Sequence, residues 1–523
     1  MIGSLFHLAR NAHAGFVLAR EGALALIDPS ALPPSARLGL RLARTIERRS
    51  AGDSASRLSA ALTRLGPSYV KFGQFLATRP DIVGAAAARD LERLQDRMPP
   101  FPRAEAVRMV EIALGRPIDE LFVEFSEPIA AASIAQVHKA QIRTSEGDLT
   151  VAVKVVRPGV REGFARDLQS MRAAARLFER WVPDARRLKP VEIVDALARS
   201  VSVEMDLRLE AAAVSELGEN TRDDPDFRVP KPEWDLTARD VLTITWIDGI
   251  RLNDVAAIEA AGLDRVALAR TVIQSFLRHA IRDGFFHADM HPGNLFVDEQ
   301  GRLVAVDFGI MGRLGMKERR FLAEILLGFI QRDYLRVARV HFEAGYVPPH
   351  HSVEDFAQAI RAIGEPIHDR RADEISMAKL LTLLFEITSL FDMATRIELV
   401  MLQKTMVVVE GVARNLDPRL DMWTTSEPVV REWMARQLGP VGRIEEAGTG
   451  LWTLAGLASD LPDMALRAKR ILGRVEDMTA DGMALHRDSV SAIGRAEARG
   501  NRWSTAALWI IALSLMIMAF GGF

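Results

Sequence analysis

Three polar residues near the middle of the chain have the types and spacing that phosphoryl transfer requires. Asp289 and Asn294 lie in the run His287-Ala-Asp-Met-His-Pro-Gly-Asn294, and Asp307 opens the triplet Asp307-Phe-Gly309. A carboxylate can orient an acceptor, and an Asn with a second carboxylate can hold Mg²⁺ on phosphate oxygens. Hard Mg²⁺ takes oxygen ligands, which makes Asn294 and Asp307 its candidate ligands and Asp289 the candidate catalytic carboxylate. D-x-x-x-x-N followed by D-F-G, in that order, is far more specific than either alone. Upstream, Val151-Ala-Val-Lys-Val-Val156 sets one lysine in an apolar run. Lysines are rarely buried unless paired. Lys154 is therefore expected to bind nucleotide phosphates and to pair with a glutamate on a helix.

These residues need a scaffold of strands and loops. Leu303-Val-Ala-Val306 reads as a buried strand ending at Asp307, and Val151 to Val156 as a strand carrying Lys154. Before that strand lies the small-residue stretch Pro128-Ile-Ala-Ala-Ala-Ser-Ile-Ala-Gln-Val-His138, placed where a phosphate-covering loop belongs. Its alanines carry a Cβ that disfavours positive φ, which predicts a stiffer loop than a glycine-rich one. A helix N-terminus capped by Ser133 is the other reading of the same residues. His287 and His291 form an H-x-D-x-H that imitates a metal cluster, but Pro292-Gly293 turn the chain there and favour a loop-structuring role.

Composition narrows the field. A chain of 523 residues divides into several packed units. A net charge of −2, from 67 basic and 69 acidic residues, provides no field for nucleic acid. The absence of cysteine excludes disulfides and thiolate metal sites. The first residues contain no unbroken apolar region of a secretory signal, and their basic, acid-free character weakly resembles an organelle transit segment. At the other end, Ser504 to Phe523 is uncharged, follows Arg495, Arg499 and Arg502, and has Trp503 at its start. Twenty helical residues span about 30 Å, enough for one bilayer crossing with the large N-terminal part on the cytoplasmic side.

The expected order is a helical entry region (1–55), a helical extension (56–125), a mixed α/β unit (126–250), a mostly helical unit (251–440), a linker with amphipathic helices (441–502) and the transmembrane helix (503–523). Helices are expected near 161–182 and 190–217, and a strand at Val241 to Ile247 before the turn Asp248-Gly249.

Taken together, these motifs resemble the UbiB/AarF atypical kinase-like family of ubiquinone biosynthesis. Ala130-Ala-Ala-Ser-Ile-Ala-Gln-Val-His138 looks like its Ala-rich loop, Lys71-Phe-Gly-Gln74 like its K-x-G-Q signature, and Glu204-Met-Asp206 like its E-x-D motif. The resemblance covers roughly residues 56 to 350. It implies an α+β fold, bilobal and protein-kinase-like, with an N-terminal helical extension and a C-terminal transmembrane helix. It further implies ATP and Mg²⁺ as cofactors, with Lys154, Glu210, Ala130, Ala131, Ala132, Ser133 and Ile134 around the nucleotide. Asp289, Lys71, Gln74 and Glu204 are the implied catalytic set, with the Lys71 segment over the site where a protein substrate would otherwise lie. The implied partners are membrane lipid and quinone-biosynthesis enzymes or intermediates; a homodimer stays open. The implied location is the bacterial inner (cell) membrane, with a single-pass anchor. Bacterial members often end in two transmembrane helices, and this tail has room for one.

Spacing adds mechanical content. On one continuous helix, Glu204 and Glu210 would project about 240° apart and serve different lysines, while Asp206 and Glu210 would share a face. Glu210 is therefore assigned to Lys154, and Glu204 to Lys71 and Gln74. Two rivals remain: a nucleotide-binding scaffold without turnover, and a small-molecule phosphotransferase sharing the H-x-D-x-x-x-x-N loop. A flavin- or iron-dependent hydroxylase lacks support, because no G-x-G-x-x-G follows a strand and no two-His-one-carboxylate set stands out.

Overall fold

A computed structural model of the chain describes residues 2–23, 45–47, 54–77, 98–181, 189–367, 390–393 and 397–438, with single positions 83, 91, 94 and 387. The chain divides into two units at Ala435–Arg436, and the described residues fall almost entirely in the first.

The Lys154 strand sits inside an antiparallel sheet of β1 (Glu124–Ala131), β2 (Ala135–Thr144), β3 (Gly147–Val156) and β5 (Val241–Thr245), in the order β1-β2-β3-β5. Its alternation has a direct cause. Val151, Val153 and Val155 point to one face and pack with Phe101, Ala106, Val110 and Phe125, residues on or beside helix α4 (Arg103–Leu114) and β1. Each buried valine of this kind contributes about 1.5–3 kcal/mol relative to exposure, which fixes the register of β3. Lys154 must then project to the opposite face, between its cross-strand neighbours Val137 and Leu242.

That second face is covered by three helices inserted between β3 and β5: α5 (Val160–Trp181), α6 (Pro190–Glu204) and α7 (Leu207–Asn220). The continuous helix expected over 190–217 is in fact two. It breaks at Met205–Asp206, where Asp206 leaves helical geometry (φ −102°, ψ 93°) and its side chain accepts the N–H of Arg208 at 3.3 Å. Asp206 is thus the N-cap of α7 rather than a member of its inner face. Leu207, Glu210, Ala211, Val214 and Leu217 recur at helical spacing and are buried, so Glu210 sits in an otherwise apolar stripe.

Helices α1 (Ile2–Arg20), α2 (Ser54–Leu65) and α3 (Pro67–Ala77) precede the sheet. Helix α1 docks on α5 through an Arg10–Asp167 ion pair and a bond from Asn11 Nδ2 to the Ser170 carbonyl at 3.1 Å. Helix α3 lays Tyr69, Phe72 and Phe75 against the cluster built by α5–α7 and Ile134.

The helical part begins with α8 (Val255–Ala260) and α9 (Arg265–Leu277), the latter capped by Asp264, which accepts from Val266 N at 2.9 Å and Ala267 N at 3.1 Å. After Leu277 the chain widens into one π-turn over Arg278–Asp283 and stops at Gly284. Gly284 has φ +68°, and a Cβ there would lie 2.6 Å from the Leu314 carbonyl oxygen, so only glycine fits. The strand β7 (Phe285–His287) follows at once and pairs antiparallel with β10 (Met311–Arg313), setting Met311 opposite His287. Between them, β8 (Leu295–Val297) and β9 (Leu303–Ala305) join β4 (Phe227–Arg228) and β6 (Ile250–Arg251) in the order β4-β9-β8-β6. Helices α10 (Met316–Ile330), α11 (Tyr334–Glu343), α12 (Val353–Gly364), α13 (Ile397–Leu416) and α14 (Met422–Leu438) complete the described chain.

The expected transmembrane helix and single-pass location require correction. Among the described residues no helix is long and apolar enough to cross a membrane, and the tail on which that expectation was built lies outside them.

Candidate active site

Lys154 is the meeting point. Its Nζ lies 2.8 and 3.0 Å from the two carboxylate oxygens of Glu210 and 2.9 Å from Oδ1 of Asp307. One cation therefore joins the sheet, helix α7 and the D-F-G segment. Burial alone would lower the Lys154 pKa, but the Asp307 and Glu210 carboxylates outweigh it and hold the ammonium well above the usual lysine value. Burial raises the Glu210 carboxyl above its usual range against the pull of Lys154. Asp307, beside Lys154, is held well below the usual carboxylate range, with smaller help from Lys71. Half of the Asp307 side-chain surface nevertheless remains accessible, which leaves room for a ligand.

Asp307 adopts φ +62°, one of four non-glycine residues with positive φ among those described. A left-handed Asp at this point is strained backbone of the kind that clusters at functional sites. The neighbouring contacts hold it there. Phe308 is 2% exposed, and its backbone N–H donates to Glu210 Oε1 at 3.3 Å.

The catalytic-loop segment is organised by its histidines. His287 Nδ1 accepts the Asp289 N–H at 3.1 Å, and its Nε2 lies 3.3 Å from the Val306 carbonyl oxygen. These partners assign the ring proton to Nε2. Burial lowers the His287 pKa, in keeping with a ring whose Nδ1 accepts a hydrogen bond. His291 Nδ1 accepts the Gly293 N–H at 3.1 Å. Both histidines thus hold loop backbone in place. Asn294 Nδ2 donates to the Asp289 carbonyl at 3.1 Å and to its Oδ2 at 3.2 Å. The amide nitrogen being committed, Oδ1 is the Asn294 atom left for a cation. A further tie was invisible in the sequence: Thr405 on α13 donates to the Ala288 carbonyl at 2.9 Å.

The Ala-rich stretch forms neither a helix terminus nor an open loop but the tight turn between β1 and β2. Ala132 N donates to the Ala135 carbonyl at 2.8 Å. Ala130 is exposed, Ala131 and Ala132 are half-buried, and Ser133 and Ile134 are buried. Arg157, at the end of β3, staples this turn: its Nε reaches the Ala132 carbonyl at 2.9 Å and its N–H the Ile134 carbonyl at 2.8 Å. A further Arg157 nitrogen reaches the Pro99 carbonyl at 2.8 Å. Sequence reasoning missed Arg157, because a residue acting through backbone carbonyls belongs to no motif.

Lys71, 8% exposed, pairs with Glu204 at the end of α6, and its charge is felt at Asp307. Gln74 Nε2 lies 3.4 Å from the Leu94 carbonyl, so its contact is with its own extension rather than with Glu204. Glu204 and Glu210 do serve different lysines, but because a helix break separates them rather than because of rotation along one helix.

This arrangement defines the class: a kinase-like protein with an added helix carrying Lys71. Residues 93–341 match the ABC1 atypical kinase-like domain, and residues 360–421 match the UbiB helical domain. Over 440 residues the chain is 40% identical to the probable protein kinase UbiB of Marinobacter nauticus, covering 83% of this chain and 80% of the relative. The chain belongs to the UbiB family of atypical kinase-like proteins. Membership is consistent with a role in ubiquinone biosynthesis, and a kinase-like domain implies nucleotide binding. A solved structure of Rv3197 with erythromycin, from Mycobacterium tuberculosis, is similar with a TM-score of 0.49 and 25% identity, covering 76% of this chain and 98% of that one.

Proposed function

We propose that this chain is a Mg²⁺-dependent atypical kinase or ATPase whose turnover supports isoprenoid-quinone assembly, acting on a small or lipid-like acceptor or on the biosynthetic enzymes. The observation that supports this reading is the bridging of Lys154 between Glu210 and Asp307, which joins the residues read here as phosphate-binding and metal-binding. The donor set suits Mg²⁺, since the Asp307 carboxylate and Asn294 Oδ1 are hard oxygens and the chain has no thiolate to offer. When bound, Mg²⁺ supplies charge neutralisation on the transferring phosphoryl group. Lys154 grips the nucleotide phosphates, and Glu210 keeps its ammonium from swinging away. Asp289, steadied by Asn294 and His287, orients the acceptor or a water. The Ala132 turn, stapled by Arg157, closes over the nucleotide. Lys71 and its pairing with Glu204 occupy space beside Asp307 and favour a compact acceptor over a protein chain.

The test is Mg²⁺-dependent ATP hydrolysis by the full-length chain, with and without a phenolic quinone-precursor mimic. Asp307→Asn is the matched control, expected to lose turnover by about 100-fold or more while retaining folded structure. Nucleotide binding without turnover, unchanged by Asp307→Asn, would make the protein a scaffold instead.

A further inference from the structure

A second constellation shares no residue with the candidate active site and plays no part in the proposed reaction. His350 and His351 end the loop after α11, and Asp392 sits in a turn 41 residues beyond His351. The fold brings them together. Asp392 Oδ2 lies 3.2 Å from His351 Nε2 and 3.6 Å from His350 Nε2, and all three ligand atoms lie within 4.8 Å of one another. No other group of three His, Cys, Asp or Glu side chains among the described residues converges in this way. The sequence showed no two-His-one-carboxylate set, because the carboxylate is far along the chain.

We propose that His350, His351 and Asp392 form a binding site for a borderline divalent metal of the zinc class, which fastens the Asp392 turn to the loop between α11 and α12. The donor chemistry is specific: imidazole nitrogens with one carboxylate suit Zn²⁺ and its neighbours, whereas Mg²⁺ and Ca²⁺ take oxygen. The spacing is also right. With metal–ligand bonds of about 2.0–2.1 Å, tetrahedral donors stand roughly 3.3 Å apart, between the two distances from Asp392. Three protein ligands leave a fourth position for water. The side chains of His350 and Asp392 are 65% and 67% exposed, so an ion and its water can enter.

Both ligand segments are anchored before any metal binds. Pro348 and Pro349 stiffen the approach to His350. His351 directly precedes Ser352, which caps α12 by accepting from Asp355 N at 3.2 Å. Asp392 directly follows Phe391, buried against Phe356 at a ring separation of 4.9 Å. Asp392 holds φ +48°, a backbone that Asp and Asn tolerate better than most residues. The two imidazoles lie 4.1 Å apart, an unfavourable approach if both were protonated but a productive one when both donate lone pairs to one cation. The loop follows the matched kinase-like domain (93–341), and Asp392 lies within the matched UbiB helical domain (360–421). A metal here would clasp the loop between α11 and α12 to the matched helical domain.

The experiment is zinc binding by the metal-stripped full-length chain, read by competition with a chromophoric chelator, with Co²⁺ as the spectroscopic probe. Wild type is expected to bind one equivalent that His350→Ala, His351→Ala and Asp392→Asn each weaken by about tenfold or more. Visible Co²⁺ bands of a four-coordinate site should vanish in the same variants. Zinc should raise the melting midpoint of wild type, excess Mg²⁺ should not displace it, and Asp307→Asn should retain it. Asp392→Asn keeps the left-handed turn, so its metal-free melt separates lost binding from lost folding. Equal zinc affinity in wild type and any of the three variants would overturn the site and leave a surface His–Asp hydrogen-bonded group.

Discussion

Glu210 and Phe308 are joined by a hydrogen bond from the Phe308 backbone N–H to Glu210 Oε1 at 3.3 Å, while the same carboxylate holds Lys154. The glutamate of helix α7 therefore fixes two things at once: the Lys154 ammonium and the backbone that presents Asp307. Any motion of α7 would be transmitted to both.

Glu210→Gln tests this double role. The amide oxygen can still accept one hydrogen bond, but the buried charge that balances Lys154 is lost and the ammonium is left to Asp307. Turnover should fall by about tenfold or more, because a misplaced phosphate-binding group forfeits orientation. Stability should fall by about 1–3 kcal/mol, the scale for a compromised buried polar partner. Steady-state hydrolysis and urea denaturation would read the two effects. A loss of stability with unchanged turnover would confine Glu210 to a structural role.

Lys71 and Glu204 form the tie between helix α3 and the end of α6. A double-mutant cycle with Lys71→Met and Glu204→Gln should give a coupling of about 0.5–3 kcal/mol, since the residues are in direct contact and largely enclosed. Limited proteolysis should show the α3 segment cut faster in either single variant. Additive stabilities with no change in cleavage would mean that the apolar contacts of Tyr69, Phe72 and Phe75 hold α3 by themselves.

Much of the candidate site's geometry was legible because its information is local. Asp289, Asn294 and Asp307 stand at fixed offsets around short strands, and the alternation of valines around Lys154 determines the face on which it emerges. The break at Met205–Asp206 was not read, although an Asp before the stripe Leu207, Glu210, Ala211, Val214 is a helix-start signal. Helical propensity on both sides masked it. Arg157 and Thr405 carried no signal at all, since each contacts backbone carbonyls from a distant element. The expected span at the tail found no support, since no described helix is long and apolar enough to cross a membrane.

Arg157 offers a direct test of the staple. Its guanidinium reaches the carbonyls of Ala132 and Pro99, a span that a lysine ammonium cannot cover with one point charge. Arg157→Lys should loosen the Ala132 turn and weaken nucleotide affinity by about 3- to 10-fold, corresponding to roughly 0.7–1.4 kcal/mol. Fluorescent-nucleotide titration would measure it. Unaltered affinity would show that the β1–β2 hairpin holds its turn without help.

Stability should depend on pH through buried histidines. Burial pushes His138, His279, His287 and His341 below the usual histidine pKa. His279 is 1% exposed, with Nε2 3.6 Å from Asp224. A histidine whose pKa is lower folded than unfolded takes up its proton more readily in the unfolded chain. Its contribution is therefore greatest above the unfolded value of about 6.5 and is lost as pH falls from there towards the folded value. Asp307 and Asp224, whose pKa values are depressed, act in a separate and more acidic window: their contribution persists above about pH 4 and fails below it. The urea midpoint should consequently drop between about pH 7.5 and about pH 5.5, before those carboxylates titrate. His279→Asn should remove at most about one proton from that slope. The same drop in the variant would assign the uptake to His138, His287 and His341 instead.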